Sequence, residues 1–244
     1  MKKYLKNLIK DSVGYLYYNT YLKYFPVIGN RALIYHAFGS SLKHDTYGIS
    51  INIKDFENQI KFYKSNYDII NIIDYAKLSI NTLSITIDDG YKDNLYAIDI
   101  LNKYNIPFTL YITTNNINSE NYLSEDDIKE ISMLKIAKIG SHCCNHLRLN
   151  LLTNEQIYSE LKDSKKVLEN IVGGHVENIS YPHGGYNKYV LDLLPSLGYK
   201  YAASSIKGKN NIKTNRYLLN RIEIIKSDSI KKIINKINGH YDYY

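Results

Sequence analysis

The chain has little cysteine, no tryptophan and no long hydrophobic run. Its two cysteines, Cys143 and Cys144, are neighbours, so their Cα atoms lie about 3.8 Å apart, closer than the roughly 4.4–6.8 Å of an unstrained disulfide. We therefore expect two free thiols, which are typical of a reducing compartment. No stretch has the ~20 apolar residues that a membrane-spanning helix needs.

Targeting and nucleic-acid signals are also missing. The first residues carry lysines as a secretory signal does, but they lack an unbroken apolar segment and a small-x-small cleavage site. The net charge of +7 suits an anionic partner, yet the lysines are scattered and the usual nucleic-acid-binding motifs are absent from the sequence. These features predict a cytoplasmic protein without a nucleic-acid partner.

The size and the residue pattern suit one large α/β domain. The chain has 244 residues, 44% hydrophobic and 23% charged, which is ordinary for a globular protein with an ample core. From residue 30 onward, short apolar segments alternate with amphipathic or capped segments, which predicts a mostly parallel sheet. Strands are predicted at 32–36, 83–87, 108–113, 137–139, 179–181, 200–203 and 217–225. Helices are predicted at 54–65, 92–104, 124–134, 153–171, 188–197 and 229–237.

Residues 1–28 are predicted to form an amphipathic helical segment in front of a single domain at 29–244. Most apolar side chains of this segment fall on one helical face, with lysines elsewhere, the pattern of a helix at a membrane interface. Peripheral contact with an anionic membrane is one interpretation; packing on its own domain or dimerisation is the other. The apolar face comprises Leu5, Leu8, Ile9, Ser12, Val13, Leu16 and Tyr17.

Two short clusters carry the chemistry. Asp88 and Asp89 end a predicted strand, and strand ends are where open α/β proteins bind ligands. His142 and His146 are four residues apart, which on a helix places both imidazoles on one face. Two imidazoles and a carboxylate match the open three-ligand set of catalytic zinc sites. Simpler readings are an Asp-Asp-Gly turn and a chance histidine pair; Cys144 is an alternative soft ligand if the segment is extended.

These clusters resemble signatures of the polysaccharide deacetylases, also called carbohydrate esterase family four, which share the NodB-homology domain. The resemblance runs in the family's order from about residue 31 to residue 238, and it is closest to a branch with an N-terminal Tyr-His segment. It implies an irregular (β/α) barrel with about seven strands. The matching segments are LIYH at 33–36, TIDDGY at 86–91, GSHCCNHL at 140–147, ISYPHGGYN at 179–187 and NRIE at 220–223.

The resemblance implies one divalent metal held by Asp89, His142 and His146, with Asp88 as the general base. Zn²⁺ suits two imidazoles and one carboxylate, and Co²⁺, Ni²⁺ or Mn²⁺ can occupy similar ligands. A zinc-like ion activates water and polarises an acyl oxygen, but side chains must still move the protons.

The chain departs from the family in two places. Many members take their general acid from a Leu-x-x-His segment near the C-terminus, which is absent from this sequence, and His240 is a poor substitute. We expect His36 of the Tyr-His segment to be the acid, with His44 in reserve; a buried His36 bonded to the backbone is the alternative. Many relatives place an arginine where this chain has Ser180, so Arg221 is predicted to reach the base instead.

The third signature implies the substrate groove. Tyr181, Pro182, His183 and Gly184 are predicted to line it, with His183 where the branch usually has an aromatic residue. The predicted reaction removes an N-acetyl group from an amino sugar in a polysaccharide or a lipid-linked glycan precursor, at the inner face of the membrane. A related amide hydrolase acting on a formyl group or a non-sugar amide is the alternative. A non-catalytic glycan-binding relative is disfavoured because the base and all three ligand positions are filled.

Overall fold

Parallel strands form the centre of the computed structural model, which describes residues 2–42, 45–76 and 80–243. In this part of the chain one sheet has eight strands, in the order β7-β6-β5-β4-β3-β1-β8, with β2 paired to β3 beside this path. All of the paired strands are parallel. The strands are β1 (Asn30–Tyr35), β2 (Asp68–Ile69), β3 (Thr82–Ile87), β4 (Phe108–Ile112), β5 (Ala137–Ser141), β6 (Asn178–Ser180), β7 (Tyr201–Ala203) and β8 (Arg221–Glu223).

The two edges of the seven-strand path meet. Ala203 at the end of β7 forms a parallel bridge with Leu219, which lies two residues before β8. The backbone N–H of Ser204 also donates to the carbonyl oxygen of Leu219 at 2.8 Å. The sheet is thus a nearly closed barrel, which confirms the predicted (β/α) barrel with about seven strands.

Helices follow most of the strands, as the alternating pattern predicted. Ser124 with Asp127 and Thr153 with Gln156 form capping boxes at two helix starts, and the long helix ends at Gly173 in the left-handed conformation that a helix end favours. The helices are α1 (Lys2–Tyr17), α2 (Ile53–Asn66), α3 (Asn94–Tyr104), α4 (Glu125–Ser132), α5 (Asn154–Val172), α6 (Lys188–Leu193) and α7 (Ile230–Asn238).

Two elements differ most from their predicted bounds, and both are shorter in the structure. The helix predicted at 188–197 ends at Leu193, because Pro195 cannot donate a helical hydrogen bond and its ring clashes with the preceding turn. The strand predicted at 217–225 is reduced to β8, because a turn in which the Leu218 N–H donates to the Asn215 carbonyl oxygen precedes it.

The strands are buried on both faces, but the two faces differ in chemistry. Side chains such as Leu33, Ile85 and Leu110 face the helices in the largest hydrophobic cluster. Alternate positions face the barrel interior, where small polar side chains bond one another, as Asn30 does with Ser84 at 2.8 Å. This alternation follows from the two-residue period of a strand.

The N-terminal segment consists of α1 and a π-helical turn, Tyr18–Leu22, which precede β1. The helix predicted there is present, and the domain boundary between residues 28 and 29 stays a prediction. Among residues 2–42, 45–76 and 80–243, no helix combines the length and the apolar character needed to cross a bilayer.

Candidate metal centre and active site

The alternation along three strands delivers the candidate residues to one end of the barrel. Asp88 lies two residues beyond Thr86, His36 two residues beyond Ile34, and His142 two residues beyond Gly140. Residues two apart on a strand share a face, so these three side chains continue the inward-facing rows past the carboxyl ends of β3, β1 and β5. Their convergence is therefore a consequence of parallel strands ending at one edge.

Asp89 reaches the same place through a tight turn. It has a φ of 79° and Gly90 has a φ of 80°, so the chain reverses directly after Asp88. The turn sets the Asp89 Oδ1 atom 3.4 Å from His142 Nε2 and 3.2 Å from His146 Nε2. One ligand atom from each of these residues lies within 4.8 Å of the others. The structure thus brings together the three predicted metal ligands.

The surroundings of these ligands fit a divalent metal. The Asp89 Oδ1 atom is buried and accepts no hydrogen bond from the described residues, which is costly without a cationic partner. His142 Nδ1 lies 2.8 Å from the Ser180 carbonyl oxygen. Because a carbonyl only accepts, Nδ1 carries the proton and the Nε2 lone pair faces Asp89, which is how histidine ligands are usually oriented. The donor set of two imidazoles and a carboxylate suits Zn²⁺ and similar ions.

The histidine pair does not lie on a helix. His142 and His146 belong to the loop after β5, in which Cys143 and His146 both have left-handed backbone conformations, with φ of 63° and 55°. The two imidazoles therefore converge because the loop folds back on itself, and not because they share a helical face. Cys144 was the alternative ligand, but its thiol points towards the Glu160 carbonyl oxygen at 3.7 Å, and it is outside the ligand cluster formed by the described residues.

Glu160 of α5 holds this loop. Its Oε2 atom accepts hydrogen bonds from the backbone N–H groups of Cys144 and Asn145 at 2.8 and 3.0 Å. Its Oε1 atom accepts a hydrogen bond from the Asn145 side-chain amide at 2.5 Å. Glu160 is itself buried. It therefore fixes the backbone next to His146 without touching the ligand cluster.

We expect Glu160→Ala to lower metal affinity by about 10–100-fold, because residues that orient metal ligands typically contribute that much. Titration of metal-free protein with Zn²⁺ would measure the change. Glu169→Ala is the matched control, since Glu169 lies on the same helix and accepts the Val176 backbone N–H at 3.0 Å, away from the site. Equal affinities of the two variants would contradict a role for Glu160 in positioning His146.

Asp88 is held by Arg221, as predicted. The two carboxylate oxygens accept hydrogen bonds from the two Nη atoms of Arg221 at 2.7 and 2.8 Å, and Ser180 Oγ donates to Oδ2 at 3.1 Å. Burial alone would raise the pKa of Asp88, but the charge of Arg221 holds that pKa below its usual value. Asp88 is therefore an ionised carboxylate in a buried bidentate pair.

His36 faces the same cleft beside an acidic partner. Its Nδ1 atom lies 3.8 Å from Glu223 Oε1 and forms no hydrogen bond with the described residues. The alternative of a histidine bonded to the backbone is therefore not supported. Burial raises the pKa of Glu223, against the opposing effects of His36 and Lys236. Among the other candidates, His240 stacks on Tyr18 at 4.1 Å on a different part of the molecule, and His44 lies outside the described residues.

The cleft around these groups has a volume of about 800 Å³. Of the four residues predicted to line the groove, Tyr181 and His183 lie on its wall. Pro182 and Gly184 belong to the single helical turn that presents His183, whose ring lies 4.4 Å from that of His146. The remaining wall includes Tyr47, Tyr91, Asn116, Tyr122, Arg148 and Lys207.

Glu160 and Glu223 were not among the predicted site residues. Glu160 had a usable signal, because it shares the buried face of α5 with Ile157, Leu161 and Ser164, and a charged residue on an apolar face implies a partner. Glu223 was part of a recognised segment, but its partner His36 is distant in sequence, and the pairing depends on the contact between β1 and β8.

The sequence and the fold are similar to those of known proteins. The sequence pattern of the family described as polysaccharide deacetylase matches residues 76–202. The Bacillus subtilis (strain 168) protein YxkH is 32% identical over 203 residues, which is 79% of this chain and 70% of that protein. A poly-beta-1,6-N-acetyl-D-glucosamine N-deacetylase of Staphylococcus aureus (strain MSSA476) is 26% identical over 227 residues, covering 84% and 77%. The crystal structure of BA0330 from Bacillus anthracis superposes with a TM-score of 0.77 at 27% identity, covering 86% and 69%. The chain belongs to the polysaccharide deacetylase family.

Proposed function

We propose that this chain removes N-acetyl groups from an amino-sugar glycan in a metal-dependent hydrolysis. The observation that carries the proposal is the union, in one cleft, of the Asp89, His142 and His146 cluster with an ionised Asp88 and the His36 imidazole. A bound zinc-like ion would lower the pKa of a water ligand towards about 7 and polarise the acyl oxygen.

Asp88 is suited to accept the proton of the attacking water. A carboxylate offers about four acceptor positions, and Arg221 and Ser180 occupy three of them. The remaining position is on Oδ1, which accepts only from Arg221 Nη1, and the carboxylate as a whole lies beside the ligand cluster, with Oδ2 4.0 Å from His142 Nε2. Arg221 keeps Asp88 ionised, and its other contacts, to Thr86 Oγ1 and the Ser204 carbonyl oxygen, fix the direction of the carboxylate.

Arg221→Ala is expected to move the acidic limb of the kcat/KM profile to higher pH. Without the guanidinium, the pKa of Asp88 is no longer held down, so this base is protonated over a wider range and activity falls first at low pH. Arg31→Ala is the matched control, because Arg31 is equally buried and forms a bidentate pair with Asp242 at 2.8 and 2.6 Å. Both variants should lose about 3–5 kcal/mol of unfolding free energy; an unshifted profile in Arg221→Ala would assign Arg221 a purely structural role.

His36 is the proposed donor of the proton that the leaving amine needs. It lies in the cleft with Asp88 and the ligand cluster, and its side chain is largely buried. The Glu223 Oε1 atom lies 3.8 Å from His36 Nδ1, where it can orient the imidazole ring. Glu223 is thereby a positioning residue for His36.

His36→Gln should lower kcat on an N-acetyl amide by about 10²–10⁴-fold, the usual contribution of a general acid. The loss should be much smaller on a 4-nitrophenyl ester, whose leaving group departs without a proton. His175→Gln serves as the control, because His175 is exposed and pairs with Glu169 at 3.6 Å. Equal losses on the amide and the ester would count against proton donation by His36.

The proposed substrate is an N-acetylated hexosamine in a polymer. The Staphylococcus aureus relative is named for poly-beta-1,6-N-acetyl-D-glucosamine, and a cleft of about 800 Å³ has room for more than one sugar ring. The aromatic wall of Tyr47, Tyr91 and Tyr122 suits the apolar faces of sugar rings. A lipid-linked glycan precursor is the second candidate, and the surface of α1 described below favours it.

The test combines elemental analysis of the purified protein with amine release from N-acetylglucosamine oligomers. The proposal predicts one divalent metal per chain, amine and acetate release in equal amounts, and loss of both metal and activity on chelation, with recovery when Zn²⁺ is restored. Bound metal without amine release would favour the alternative amide hydrolase, and a panel of N-formyl and non-sugar amides would then identify it. Amine release by a fully metal-free protein would refute the metal-dependent mechanism.

A further inference from the structure

Helix α1 packs on the domain with its polar side. The Tyr241 hydroxyl donates to Asp11 Oδ1 at 2.7 Å, and the Tyr243 hydroxyl donates to the Lys10 carbonyl oxygen at 3.0 Å. Gly14 lies so close to His240 that an added Cβ would be 2.3 Å from the His240 carbonyl oxygen. The C-terminal residues thus meet the side of α1 that carries Lys10, Asp11 and Gly14.

The apolar stripe of α1 therefore points away from the domain. Leu5, Leu8, Ile9 and Leu16 are each between 51% and 60% exposed. At 100° per residue these positions lie roughly opposite Gly14, which touches the domain. A surface helix normally buries its apolar stripe in the core, so this reversed orientation means that the stripe is not needed for packing the domain.

Aromatic side chains extend this surface beyond the helix. Tyr17 and Tyr21 stack with ring centroids 5.6 Å apart, and Tyr21 meets Phe25 at 5.4 Å. Tyr21, Tyr24 and Phe25 are all more than half exposed. We call the outward residues of α1 together with Tyr21, Tyr24 and Phe25 the N-terminal face. Leucine, isoleucine and aromatic side chains beside lysines are the composition of helices that lie in a membrane interface.

We propose that the N-terminal face docks on an anionic lipid surface. The sequence places Lys2, Lys3 and Lys6 in the same helix, and the whole chain carries a net charge of +7. Two copies meeting through this face would bring these like charges together, whereas anionic headgroups would neutralise them. Charge complementarity therefore selects a lipid surface over a second copy.

Docking in this way would hold the active site close to the membrane. Lys10 and Asp11 of α1 line a cavity of about 250 Å³ whose other walls include Lys207, Ile222 and Glu223. Those three residues also line the cleft that contains the metal ligands. Only one layer of side chains thus separates α1 from the cleft. This consequence rests on the proposed function, since it would place a lipid-linked glycan within reach, whereas the docking itself does not depend on any reaction.

The experiment is sedimentation of the full chain with vesicles, a readout that needs no catalysis. Vesicles of phosphatidylglycerol mixed with phosphatidylcholine are compared with vesicles of phosphatidylcholine alone. The test variant Ile9→Glu with Leu16→Glu changes two outward positions, two helical turns apart. The matched control is Met133→Glu with Ile212→Glu, because both residues are exposed apolar side chains outside α1 and the charge change is the same.

The proposal predicts binding to the anionic vesicles, a partition coefficient about 100-fold lower for the α1 variant, and little change for the control pair. Hydrogen exchange of the unsubstituted protein provides a second measurement, in which anionic vesicles should slow exchange in residues 2–17. Equal binding by the two double variants, equal binding to neutral vesicles, or unchanged exchange would each overturn it. A dimer that the α1 variant abolishes, without vesicle binding, would assign the N-terminal face to a second copy and also overturn it.

Discussion

Asp88→Asn is expected to keep the bound metal while kcat falls by about 10²–10⁴-fold. The three proposed ligands are unchanged in this variant, so affinity for the metal should stay nearly the same. An amide side chain cannot take up the proton of the attacking water, and its NH₂ group would face the Arg221 and Ser180 donors that now bond the carboxylate. The variant therefore removes the base and disturbs its immediate contacts.

The second effect of Asp88→Asn, lost stability, needs its own control. Arg221 is buried and would lose its anionic partner, which costs free energy whatever the role of Asp88 in catalysis. Asp228→Asn is the matched variant, because Asp228 is a buried carboxylate paired with the buried Lys236 and lies outside the cleft. Steady-state kinetics, metal content and thermal unfolding of both variants separate the two effects. Comparable kcat values for Asp88→Asn and the unsubstituted enzyme would exclude Asp88 as the base.

Much of the fold could be predicted because its signals are local. The capping pairs at Ser124 and Thr153 and the glycine at 173 mark helix ends in a few residues, and the structure has all three. The buried strands were recognisable as apolar runs of the right length. The closure of the sheet was different, since it depends on the bridge between Ala203 and Leu219 and was implied only by the family resemblance.

The candidate site likewise has a part that could be predicted from local signals and a part that could not. The proximity of Asp88 and His142 follows because β3 and β5, on either side of β4, end at the same edge of a parallel sheet, so two motifs at strand ends were enough to predict it. The path of the chain between His142 and His146 was not predictable from spacing, because it depends on left-handed residues and on the distant carboxylate of Glu160. The pair of His36 with Glu223 was not predicted, because it depends on the contact between β1 and β8 in the assembled barrel.

His142→Ala should lose the metal and nearly all activity. This residue supplies one of three ligands, and a site with one imidazole and one carboxylate is too weak to retain a zinc-like ion against a chelator. Activity should also fall for a second reason. The His142 Nδ1 atom donates a hydrogen bond to the Ser180 carbonyl oxygen, and the hydroxyl of the same serine donates to Asp88. Metal content by elemental analysis and amine release measure the two consequences together.

The stability change on metal removal distinguishes ligand loss from general damage. A metal that binds only the folded chain raises its unfolding temperature, so Zn²⁺ should stabilise the unsubstituted protein and fail to stabilise His142→Ala. His240→Ala is the control, since His240 is also a buried histidine but stacks on Tyr18. It should unfold at a lower temperature yet keep its metal and its response to Zn²⁺. If His142→Ala retained stoichiometric metal, the ion would have to be held elsewhere, and the assignment of Asp89, His142 and His146 as its ligands would be wrong.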